Sequence, residues 1–185
     1  MGTRGPTFNK DIQNGNDGKG SVHTKETQMK LTEHFNFSEF VNTSYAKFAE
    51  DNYNYGKENY DKVKALAENL ERVRNILRKP MIISSAVRCP GLNKAVGGAK
   101  NSQHVKFEAV DFIVKAMGGA KNFDASETWW AYKRIRSSAI EFDQLIYEVR
   151  GESEWIHISF SDDNRRECLT YDGKKYTRIN PKEVL

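Results

Sequence analysis

Apolar positions fall into two rhythms along this chain. Between residues 57 and 78, Val63, Leu66, Leu70, Val73 and Leu77 recur at three- and four-residue steps, which predicts an amphipathic helix. Pro80, which lacks an amide hydrogen and clashes with the preceding turn, marks its end. Lys64, Glu68, Glu71, Arg72 and Arg78 lie on the other side as solvated surface. Beyond Pro80 the period shortens. MIISSAV reads as a buried strand, Pro90 opens a small helical turn ending at Gly97-Gly98, and AVDFIV at 109–114 is a second strand. Helix signals return over 125–138, with Ser126 as cap and Trp129, Trp130, Tyr132 and Ile135 as bulk. Three strands follow, in DQLIYEV, WIHISF and CLTYDGKKYTRI, the last carrying the type I′ hairpin signal Asp172-Gly173.

Upstream, LTEHFNFSEFV supplies the anchors Phe35, Phe37, Phe40 and Val41, with Ser38 as the expected cap of a short helix. Residues 45–60 are polar and tyrosine-rich, and read as a loop or a second short helix. Residues 1–29 are rich in Gly, Asn, Lys and Thr and hold almost no large aliphatic side chains, so burial cannot offset their ordering entropy. They are expected to form a flexible polar arm, either free or docked on a partner. The expected class is α+β, a small antiparallel sheet packed by helices, in one domain over 30–185.

Composition narrows the functions. The formal charge of +4, from 29 basic and 25 acidic residues, gives no support to a nucleic-acid partner. No stretch approaches the roughly 20 apolar residues that span a bilayer, and the first twenty lack an apolar signal core, so no membrane role and synthesis as a soluble cytoplasmic product are expected. Cys89 and Cys168 have neither zinc-knuckle nor redox-pair spacing.

Zinc in hydrolytic sites takes three His or carboxylate ligands and keeps a fourth position for water. His104 and Asp111, six residues apart in SQHVKFEAVD, and His157 in WIHISF form a set of that type, although by spacing alone Asp111 could be a strand-edge carboxylate and His157 a core imidazole. Two glutamates compete for general base. Strand alternation puts Gln144, Ile146 and Glu148 on one face, and Glu148 diagonal to His157 if DQLIYEV and WIHISF are neighbouring antiparallel strands. Glu154 makes Glu-x-x-His with His157.

The stretches HFNFSEF, SSAVRCPGLNKAVGG, SQHVKFEAVDF, FDQLIYE and WIHISF, in this order, resemble the zinc D-Ala-D-Ala carboxypeptidases, especially their phage and prophage branch. The resemblance implies the Hedgehog/DD-peptidase fold, zinc on His104, Asp111 and His157, and Arg88 near the substrate carboxylate. Ser102 and Gln103 would orient a ligand, bind substrate, or cap their turn. It implies hydrolysis beside a D-amino acid of the peptidoglycan stem peptide, at D-Ala-D-Ala or L-Ala-D-Glu, by an endolysin or virion-associated lysin. The competing expectation is a virion structural or wall-binding protein without turnover, its arm contacting other virion proteins. A zinc-bearing interaction domain of Hedgehog type is a remote third. Phe107 stands where that family usually has glycine, which implies a rebuilt loop, a ring added to the substrate pocket, or a lost site.

Overall fold

The computed structural model describes residues 29–115 and 127–179. The expected arm at 1–29, apart from Met29, and the 116–126 segment with the expected cap Ser126 lie outside the described residues. A six-stranded sheet forms the centre: β1 Met81–Ser85, β2 Ala109–Val114, β3 Gln144–Arg150, β4 Ser153–Ser159, β5 Glu167–Tyr171 and β6 Tyr176–Arg178, in spatial order β1-β2-β4-β3-β5-β6. The helices are α1 Phe37–Val41, α2 Ala49–Glu58, α3 Tyr60–Leu77, α4 Pro90–Ala95 and α5 Glu127–Arg136, with a 3-10 turn at Ala46–Phe48. The architecture is α+β, as the alternation of helical and strand periods implies.

The sheet departs from the expected all-antiparallel arrangement at one place. Four of its pairings are antiparallel, but β3 and β5 run parallel, with Gln144 opposite Glu167 and Glu148 opposite Tyr171. The chain leaves β4 and passes through 160–166 to the far side of β3, so β5 enters in the same direction as β3. The Asp172-Gly173 turn is also longer than expected. Tyr171 pairs with Tyr176, leaving four loop residues, and only Gly173 takes a positive φ, at 89°. The Asp172 carboxylate accepts the backbone N–H groups of Lys174 and Lys175, at 2.9 Å each, which closes the turn from its side chain.

Alternation gives the sheet two distinct faces. Val110, Phe112, Leu145, Ile156 and Ile158 are buried with α3 and α5 in the core. Along α3, Val63, Leu66, Leu70, Val73 and Leu77 are all buried, which is the face that the periodicity marks. The expected single helix from 57 is broken at Asn59, and its end comes at Arg78, in the left-handed conformation at φ 50°, before Pro80 is reached. The tyrosine-rich segment is helical, as α2. It approaches α1 so closely at Gly56 that a Cβ there would lie 2.3 Å from Val41 Cγ1. Asn36, not Ser38, is the N-cap of α1: the Glu39 carboxylate accepts the Asn36 N–H at 2.7 Å, and Ser38 lies inside the helix. Cys89 and Cys168 are buried free thiols. Among the described residues no helix is long and apolar enough to cross a membrane.

Candidate metal centre and cleft

The other face of the sheet carries a row of polar side chains. Asp111 of β2 is directly opposite His157 of β4, and His157 is directly opposite Ile146 of β3. On β1 the register shifts between Ile83 and Ser85, leaving Ser84 as an extra residue and setting Ser85 opposite Asp111. The Ser84 hydroxyl donates to the Asp111 carbonyl at 3.1 Å, which ties down the bulge.

His104 reaches this row from the connection between α4 and β2. Residues 103–108 wind through one tight turn: the Glu108 N–H donates to the Gln103 carbonyl at 2.9 Å and the Phe107 N–H to the His104 carbonyl at 3.4 Å. These are the paired bonds of a Schellman motif, whose penultimate residue adopts the left-handed conformation usual for glycine. Phe107 occupies that position at φ 65°. Its ring is buried away from the cleft, stacked on Tyr55 at 4.8 Å between centroids, and lies under the Lys62 ammonium at 5.5 Å. The loop therefore keeps the conformation that a glycine would favour, and the ring adds to the core instead of to the substrate pocket. Tyr55 also donates its hydroxyl to the Val105 carbonyl at 2.8 Å, fixing the turn to α2.

The donor atoms of His104, Asp111 and His157 all lie within 4.8 Å of one another. Asp111 Oδ1 is 3.2 Å from His104 Nε2 and 2.8 Å from His157 Nδ1. His104 Nδ1 is 2.7 Å from the Ala86 carbonyl, which can only accept, so the proton sits on Nδ1 and the Nε2 lone pair faces the cluster. Burial pushes the His104 pKa down, against the pull of Asp111, and favours the neutral imidazole that metal ligation requires. Burial alone would raise the Asp111 pKa, but the charges and hydrogen bonds of His104 and His157 hold it well below the usual carboxylate range. Two imidazoles of defined orientation and one ionised carboxylate suit a divalent cation such as zinc.

Arg88 closes the cluster. Its Nη2 donates to Asp111 Oδ2 at 2.6 Å and its Nε to Ser85 Oγ at 2.9 Å. Its loop is held by Asn52, a fully buried side chain that sequence reasoning missed. Asn52 Nδ2 donates to the carbonyls of Val41 and Val87 at 2.7 and 3.0 Å, and its Oδ1 accepts the Cys89 N–H at 2.8 Å.

Arg88, Ser102, Gln103, His104, Asp111, Glu148 and His157 all line one open cleft. Glu148 pairs with Trp155 and is therefore diagonal to His157 on the cleft face. Burial, reinforced by the Asp111 charge, raises its pKa. Glu154 is not brought to this group. It lies opposite Val149 on the helix-covered face, where its carboxylate accepts the Tyr147 hydroxyl. Residues three apart in a strand point to opposite sides, so Glu154 and His157 diverge.

No curated protein matches the chain. A family model described as Peptidase M15 matches residues 33–159, more than half of the chain, and spans all three residues of the cluster. With this match, the chain belongs to the Peptidase M15 family of zinc-dependent metallopeptidases.

Proposed function

We propose that the protein hydrolyses a peptide bond next to a D-amino acid in the peptidoglycan stem peptide, at D-Ala-D-Ala or L-Ala-D-Glu, as a phage-type endolysin or virion-associated lysin acting at the cell wall. The observation that carries this reading is the convergence of His104, Asp111 and His157 in a cleft that also presents Glu148 diagonal to His157. His104 Nε2, an Asp111 oxygen and a His157 nitrogen would hold the zinc. Zinc bound there supplies Lewis acidity, polarising a carbonyl and acidifying water.

The chain's own residues supply the rest. Glu148 acts as general base, taking the proton of the attacking water and returning it to the departing amine. Burial raises its pKa above the ordinary carboxylate value, the direction that strengthens it as a base for the water proton. Arg88 spends Nη2 on Asp111 and Nε on Ser85, which fixes its guanidinium plane. The rest of its fork is directed to a substrate carboxylate, for which a planar guanidinium is the fitting partner. Ser102 and Gln103 line the approach and bind the peptide backbone.

Digestion of purified peptidoglycan by the zinc-loaded protein, followed by mass spectrometry, tests the proposal. Loss of a terminal alanine identifies carboxypeptidase action, and stem peptides beginning at D-Glu identify endopeptidase action. Intact stem peptides after prolonged incubation would refute the reading.

A further inference from the structure

Asp143, at the entry to β3, is fully buried and ionisable, and plays no part in the reaction as derived above. Its carboxylate is surrounded by donors. Arg165 donates to Oδ1 from Nε at 2.7 Å and from its backbone N–H at 3.2 Å, and to Oδ2 from Nη2 at 2.6 Å. The fourth donor is Gln103 Nε2, 2.7 Å from Oδ2. Asp143 is itself fixed at both main-chain ends, its N–H donating to the Ser159 carbonyl at 2.7 Å and its carbonyl accepting the Glu167 N–H at 2.8 Å.

An ionised carboxylate can only accept hydrogen bonds, so it admits one orientation of a facing carboxamide. The amino group of Gln103 must face Asp143, and Oε1 must point away. Gln103 lines the cleft beside His104, and its Oε1 has no hydrogen-bond partner among the described residues and is not a buried unsatisfied atom. The cleft thus contains an acceptor whose orientation is set from behind by a buried ion pair.

We infer that Asp143 is a positioning residue that locks the Gln103 amide with Oε1 toward the cleft, so that the enzyme selects a substrate carrying an N–H donor at that point. The inference rests on the peptidase reading for its substrate, but the orientation itself is independent of activity. The substrate feature recognised is an unsubstituted backbone amide of the stem peptide. In Asp143→Asn the two Arg165 donors at the Oδ1 position keep the Asn carbonyl there, the Asn amino group takes the Oδ2 position with loss of the Arg165 Nη2 bond and faces Gln103, and the glutamine turns over to present a donor instead of an acceptor.

Two readouts on the full chain test this. In the wild type, side-chain amide NMR should show the Gln103 NH2 group, assigned by its absence in Gln103→Ala, as hydrogen-bonded and slow to exchange, and Asp143→Asn should abolish that signature. The second readout uses the peptide L-Ala-γ-D-Glu-L-Lys-D-Ala-D-Ala and analogues in which each non-scissile amide N–H in turn becomes an ester oxygen. One analogue should lose about three- to tenfold in kcat/KM with wild-type enzyme, the worth of one neutral hydrogen bond. That loss should shrink below about twofold in Gln103→Ala and Asp143→Asn, which a merely structural role for Asp143 would not produce. Gln103→Ala leaves the buried ion pair in place, so it decides the matter even if Asp143→Asn folds poorly. A freely exchanging Gln103 amide, or the same analogue profile in wild type and Gln103→Ala, overturns the inference. A locked amide in a protein that cleaves no stem peptide would instead defeat the peptidase reading while the orientation stands.

Discussion

Replacing Phe107 by glycine should leave the protein more stable than replacing it by alanine, the reverse of the usual order of these two residues. Both substitutions delete a buried ring stacked on Tyr55. The loss is about 3 kcal/mol, the low end for core phenylalanines, since the ring borders a surface groove. They differ in what the backbone requires. At φ 65°, alanine keeps the left-handed penalty of roughly 1–2 kcal/mol that phenylalanine already bears, and glycine escapes it. Glycine loses about 0.4–1 kcal/mol through the greater freedom of its unfolded chain. The balance places Phe107→Gly above Phe107→Ala by about 0.5–1 kcal/mol, where a position with negative φ would place it below by a similar amount. Urea unfolding of the metal-free proteins, compared at equal m-values, measures the difference directly. Equal stabilities, or alanine above glycine, would refute the Schellman-turn account of this loop.

Glu148→Gln should lower kcat by about 10²–10⁴ with zinc content unchanged, whereas Glu154→Gln should stay within about twofold of wild type; steady-state kinetics on the stem peptide compare them. Arg165→Ala should cost about 2 kcal/mol at pH 7 by removing charge-assisted bonds to buried Asp143. The Arg165 hydrogen bonds hold the Asp143 pKa well below its ordinary value, so the folded state favours the ionised form. That contribution is complete above the unfolded pKa of about 4 and shrinks as pH falls from there toward the lower folded-state pKa, so the wild-type and variant urea midpoints should draw closer between about pH 4 and pH 2 without yet meeting. Asn52→Ala leaves two carbonyls and one N–H without their partner and should destabilise by about 2–4 kcal/mol, read as a drop in the urea midpoint.

The parts of the fold that local periodicity encodes were legible in the sequence. The buried face of α3 follows the three- and four-residue steps, and β2 occupies the Ala109–Val114 stretch that reads as a strand. Alternation along β3 and β4 also puts Glu148 on the His157 face, and the same rule separates Glu154 from it, although the Glu-x-x-His spacing suggests otherwise. The parallel pairing of β3 with β5 depends on the path of the chain between β4 and β5, which leaves no mark on the apolar pattern of either strand. Asn52 and Asp143 were missed because a buried polar residue is recognisable only by its partners. Those of Asn52 lie up to 37 residues away, and those of Asp143 up to 40. The Phe107 departure from glycine is resolved by an aromatic partner on α2, which spacing within the loop could not reveal.

Whether His104, Asp111 and His157 together hold the catalytic zinc is decided by elemental analysis of purified wild type beside His157→Ala. The wild type should hold about one zinc per chain and the variant should lose most of it, with its fold intact because His157 lies on the cleft face and not in the core. A folded His157→Ala protein that retains the wild-type zinc content would contradict that assignment.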